Sequence, residues 1–173
     1  MTNETKQVAY KIASIDEKGA FQGYASTYGT IDAVGEIVAP GAFDDVLGQL
    51  QVGMVYPPIM WEHDKAMPVG EQIITSDETG LVVDGQLWID TLEDARKAYK
   101  LLSKTTYFMS FWATYDDSFV NPDGNTVITH INSLYETTIT AHPANREAEI
   151  LVVKSLSELD QALASWIKEL KQS

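Results

Sequence analysis

Cysteine is absent from these 173 residues, and that single absence removes a thiol nucleophile, a disulfide framework and any zinc site built on thiolates. Whatever chemistry the chain performs must use oxygen or nitrogen groups. Histidine is scarce as well, since His63, His130 and His142 are the only three. Basic residues are heavily outnumbered, 12 Lys and Arg against 25 Asp and Glu, for a formal charge of −13. The average surface therefore repels phosphate backbones, and nucleic acid is not an expected direct ligand. No apolar run reaches the roughly 18 residues that a membrane-spanning helix needs. The N-terminal segment 1–7 is polar with no apolar stretch or small-residue cleavage site behind it, so the chain is expected in the cytosol where it is made, with no membrane partner.

What the sequence does have is apolar substance: 45% hydrophobic residues in a chain of ordinary domain length, enough to bury a core. Val8, Tyr10 and Ile12 alternate with smaller or polar residues, and Phe21, Tyr24 and Tyr28 follow the turn at Glu17-Lys18-Gly19, which predicts a hairpin. Residues 29–35 are too rich in turn formers for a regular element. After Pro40, the spacing of Phe43, Val46, Leu47 and Leu50 predicts a short helix. Residues 56–61 read as a brief strand whose start is restricted by Pro57 and Pro58, and it delivers Glu62, His63 and Asp64 to a loop. Strands over 69–76 and 81–89 flank a turn ending at Gly80, and Ala95, Ala98, Leu101 and Leu102 give a helix over 91–103.

A long hairpin, 105–115 and 126–140 around the turn 121–125, carries Ser110 on its first arm and Glu136 on its second. An apolar run at 150–153 precedes a helix with Leu156, Leu159, Leu163, Trp166, Ile167 and Leu170 on one face. The expected architecture is mostly β with flanking helices, an α+β chain of about seven strands and three helices forming a small antiparallel β-barrel. Residues 1–154 would form the barrel domain, and 155–173 an amphipathic helix packed on it or on a partner subunit.

Without cysteine, a hydrolytic nucleophile must be Ser, Thr or a metal-bound water, and histidine is the most economical base. His63 ends an apolar strand between two carboxylates, where it is either a solvated surface residue or a group held rigidly over a cleft. Glu62, His63, Asp64 and His142 are all possible metal ligands. However, no H-x-H, H-x-x-x-H or H-E-x-x-H pair exists, so neither a metal nor any other cofactor is expected. Ser110 is a lone hydroxyl among bulky apolar neighbours, as structural serines in barrel walls also are. Residue chemistry alone leaves the activity open.

Six segments in order resemble the prohead protease family of tailed phages. Phe21-Gln-Gly-Tyr-Ala-Ser26 followed by Asp32-Ala-Val-Gly-Glu-Ile-Val-Ala-Pro-Gly-Ala-Phe43 resembles the opening of that family. Ile59-Met-Trp-Glu-His-Asp64 with Pro68-Val-Gly70 resembles its histidine segment, and Gly80-Leu81 with Gly85-Gln-Leu87 the hairpin after it. Met109-Ser-Phe111 takes the place of the nucleophile strand. Leu134-Tyr-Glu-Thr-Thr-Ile-Thr140 with Pro143-Ala-Asn145 and Ala148 resembles the acidic strand and its turn. The resemblance covers residues 8–153 and departs from the family's pattern at Phe108 and Trp112, where members usually place glycines on either side of the serine.

That family is similar in fold to the herpesvirus assemblins, so the resemblance implies an assemblin-like barrel and a serine endopeptidase. It implies Ser110 as nucleophile, His63 as general base and Glu136 as third member, with His142 as the rival for that third place. It also implies an oxyanion hole near Asn145 and Arg146. The implied work is removal of scaffold segments from the major capsid protein, and of part of the chain itself, inside the prohead in the host cytoplasm. Its partners would be that capsid protein and further copies of the chain. A capsid-assembly protein that keeps the fold without catalysis is the alternative of a different class, and a small-ligand binding barrel a third.

Overall fold

The turn that launches the first described strand is built by one side chain. Asp16 Oδ1 accepts from the N–H groups of Lys18 at 2.9 Å and Ala20 at 2.8 Å, and Gly19 supplies the positive φ of +86°. The computed structural model describes residues 15–53, 55–102, 104–105, 107–143 and 150–151. The arm at 8–13, the helix from 155 onward, and the division of the chain at 154 lie outside them.

Among the described residues the order is β1 (Ala20–Thr27), β2 (Glu36–Val38), α1 (Asp44–Gln51), β3 (Ile59–Trp61), β4 (Asp64–Ser76), β5 (Gly80–Leu87), α2 (Glu93–Leu102), β6 (Phe108–Val120), β7 (Thr126–Thr140) and β8 (Ile150–Leu151). Strands β3, β4, β5 and β1 pair antiparallel in that order, and β8 adds to β1. The 15-residue β7 is the hub. One of its edges takes β6 along the whole hairpin, while the other takes β2 at 126–128 and β3 at 137–139, both parallel.

The closed antiparallel barrel expected from the sequence is therefore corrected to a curled, mixed half-barrel. Period-two alternation is the same in parallel and antiparallel strands, so the sequence pattern could not reveal the parallel pairs or β2, which falls just after the segment read as a loop. Closure fails at β6, which among the described residues pairs only with β7. Four register shifts between Trp112 and Ser118 bend the hairpin away. The distal part of β6 is consequently exposed, with Phe119 and Val120 in solvent.

The core fills the concave side. Phe43, fully buried just before α1, meets Phe111 of β6 edge-on at 5.3 Å. Val46, Leu47 and Leu50 of α1 bury beside it, and α2 contributes Ala95, Ala98 and Leu102. Gly85 shows how tightly β5 is covered, since a Cβ there would stand 2.4 Å from the Phe21 ring and 2.9 Å from Ile59.

A clasp outside the core joins three elements. His130 of β7 sets Nδ1 against Asp116 of β6, and its Nε2 lies 2.9 Å from Asp45 of α1. Only the doubly protonated ring donates to both carboxylates. The bond to Asp116, reinforced by that to Asp45, raises the His130 pKa above the ordinary imidazole value. A raised folded-state pKa means the stabilisation is full below about pH 6.5 and is lost as pH rises through the folded value. Melting temperatures of the wild type and His130→Gln, measured across that range, should differ in acid and converge in base. A gap independent of pH would show that the clasp does not act through ring protonation.

Candidate active site

Trp61 of β3 pairs directly with Asp64 of β4, which leaves Glu62 and His63 as a two-residue turn. Both have positive φ, +51° and +57°, in the left-handed region that costs an L residue roughly 1–2 kcal/mol. Turns of this kind favour Asn-Gly, so the surroundings must hold this one. The backbone N–H of Glu62 donates to Ile139 O at 2.9 Å, and that of His63 to Thr138 Oγ1 at 3.0 Å. The Glu62 carboxylate accepts from Thr140 Oγ1 at 2.7 Å and from Ala141 N at 3.0 Å. Thr138 Oγ1 in turn donates to Met60 O at 3.1 Å. The turn is thus fixed to the last residues of β7, and the imidazole leaves a rigid base.

That imidazole meets Glu136. His63 Nδ1 lies 2.7 Å from Glu136 Oε1, with the histidine side chain 41% exposed and the glutamate side chain 5%. A neutral ring in this setting carries its proton on Nδ1 and donates it to the carboxylate, which leaves Nε2 as an acceptor able to take a proton.

Ser110 enters through the pairing of β6 with β7. It stands opposite Thr138, and Trp112 stands opposite Glu136. Opposed residues share a face, so Ser110, Glu136 and Thr138 lie on the face that also receives His63. Met109 and Phe111 alternate to the core side, where Met109 is fully buried. Ser110 itself is 7% exposed. The structure brings His63 and Glu136 into contact and sets Ser110 on the adjacent strand. Among the described residues no hydrogen bond joins the serine to the imidazole, a contact that often tightens only when substrate is bound.

The other residues named from sequence fall differently. His142 is exposed just past β7, and its backbone N–H donates to Thr140 Oγ1 at 3.0 Å. Its ring makes no hydrogen bond to His63 among the described residues. Asn145 and Arg146 lie outside the described residues. Phe108 is half-buried at the start of β6, while Trp112 is exposed, stacked at 4.6 Å on Tyr135 and covered by Lys65 Nζ at 4.1 Å from its ring centre. Sequence reasoning missed Glu62, Thr138 and Thr140 as the groups that hold the turn. The available signal was parity, since residues 136, 138 and 140 share one face of a strand and are all polar.

Comparison with known proteins adds a source of evidence independent of the geometry. Residues 7–162 match the family described as Caudovirus prohead serine protease. The chain is also 30% identical over 166 residues to the prohead protease of Enterobacteria phage HK97, an alignment covering 92% of this chain and 72% of that protein.

Proposed function

The chain belongs to the caudovirus prohead serine protease family and is a capsid-maturation protease, and from that premise we propose that it is a serine endopeptidase whose triad is Ser110, His63 and Glu136. The observation that carries the assignment is the 2.7 Å contact of His63 Nδ1 with Glu136, on the same sheet face as Ser110. His63 Nε2 takes the Ser110 proton as the hydroxyl oxygen attacks a peptide carbonyl. It then delivers that proton to the leaving amine, and the acyl-enzyme is hydrolysed by water activated the same way. Glu136 holds the proton on Nδ1 and stabilises the imidazolium. The chain order of histidine, serine and third member also supports reading the half-barrel as a variant of the assemblin fold.

The tetrahedral oxyanion needs backbone donors, and the first amides after β7 are already engaged. Ala141 N donates to Glu62, His142 N donates to Thr140, and Pro143 has no N–H. The donors in this reading come from the segment holding Asn145 and Arg146, each worth about 10²- to 10³-fold in rate. The substrate is the scaffold segment of the major capsid protein, together with the chain itself, inside the prohead.

The test is to co-express the chain with its phage's major capsid protein, purify the proheads and follow the capsid protein by intact mass. Capsid protein shortened at one site supports the reading. Full-length capsid protein in assembled proheads overturns it and favours a non-catalytic assembly role.

Glu62 is a positioning residue in the same scheme. Glu62→Ala removes two of the bonds that fix the 62–63 turn, and a displacement of the imidazole by an ångström costs on the order of 10² in rate. The loss should fall on kcat with KM nearly unchanged, and Glu62→Gln, which keeps an acceptor, should recover part of it. An equal fall in folded protein would instead mark Glu62 as merely structural.

A further inference from the structure

Beside Ser110 lies a cavity of about 190 Å³, and its position follows from which residues reach it. Ser110 and Trp112 come from one face of β6, and Phe111 and Ala113 from the other. Residues of both faces can line one cavity only along the strand's edge. β7 occupies the opposite edge, so the cavity lies on the side of β6 that faces Ala25 and Ser26 of β1. It occupies the open seam of the half-barrel, with the nucleophile on one lip.

The chemistry of the walls is uneven. Val38, Ile128 and Ile131 make an apolar lining, and among the described residues the carboxylates in it are Asp32 and Glu36. Among the described residues no Lys, Arg or His contributes to the walls. Asp32 commits Oδ1 to the N–H groups of Val34 and Glu36, both at 2.9 Å, which fixes the carboxylate in place. Among the described residues the Glu36 carboxylate receives only a long contact, 3.4 Å, from Tyr115 OH. A further polar group faces the same space: Ser26 is 1% exposed and its hydroxyl has no hydrogen-bond partner among the described residues. A buried hydroxyl without a partner is costly, and occupation of the cavity by a donor would relieve it.

The geometry points to this cavity as a specificity pocket for a lysine or arginine side chain of the substrate, flanking the scissile bond. The aliphatic stem would lie along Val38, Ile128 and Ile131, and the cationic head would reach Asp32 and Glu36. The net charge of −13 favours approach of such a segment from a distance. The inference rests on Ser110 as nucleophile and adds to it the substrate's side-chain class.

The test uses the full chain and peptides spanning the capsid cut, each made with lysine or with the uncharged isostere norleucine at the positions flanking the bond. At one flanking position wild type should prefer lysine by about 10- to 100-fold in kcat/KM, the worth of hydrogen bonds to a charged group. In Asp32→Asn and Glu36→Gln the lysine-to-norleucine ratio should collapse toward unity. Because it is a ratio within one protein, partial misfolding of a variant does not affect it. Serine-dependent cleavage without that preference, or a preference unchanged in both variants, overturns the pocket while leaving the triad intact. Absence of any Ser110-dependent cleavage overturns both.

Discussion

Ser110→Ala should leave the capsid protein at full length under conditions in which the wild-type chain shortens it, a loss of at least about 10³-fold and up to about 10⁶-fold in rate. The substitution is well suited to isolating chemistry from folding. The serine is 7% exposed, and its hydroxyl is not bonded to the imidazole among the described residues. Removing one oxygen therefore leaves the pairing of β6 with β7 and the His63–Glu136 contact in place. Intact mass of the capsid protein and the melting temperature of the variant together decide the matter. Cleavage persisting in a folded Ser110→Ala chain would place the nucleophile elsewhere.

Glu136→Gln is expected to lower kcat by about 10⁴-fold with little change in KM. Glutamine fills the same buried volume but offers an amide that can donate to Nδ1, which favours the tautomer with its proton on Nε2. That ring cannot accept the Ser110 proton. Substitution of His142, an exposed residue whose ring makes no hydrogen bond to His63 among the described residues, should cost little by comparison. Turnover of a capsid-derived peptide by the two variants, measured side by side, tests the third member directly. A larger loss in His142→Ala would reverse the assignment.

The sequence made the long hairpin legible because 108–120 and 126–140 are dense in β-branched and aromatic residues around Asn121-Pro-Asp-Gly-Asn125. It also brought His63 to the end of a strand, though the loop foreseen there is a tight turn between β3 and β4. Glu62 is not a residue that announces positive φ, and the bonds to β7 account for the conformation. The partners Glu62 and Thr140 are 78 positions apart, and a contact at that range depends on sheet register, which local patterning does not encode. The parallel pairing of β3 with β7 was hidden for the same reason, yet it is what carries His63 to Glu136. The seam escaped notice too, because an unclosed sheet differs from a closed one by hydrogen bonds that are not made.

That side of β6, unpaired among the described residues, also bears on how many copies of the protein can share a confined volume. A strand edge offering free amides and carbonyls is a template on which other chains can stack, and crowding inside a shell multiplies the encounters. Here the outer half of β6 carries Asp116 and Asp117 and the repeated register shifts, so it is charged and twisted where it is most accessible. Indiscriminate growth of sheet from molecule to molecule is suppressed there, while Met109 and Ser110, at the other end of the strand, are buried.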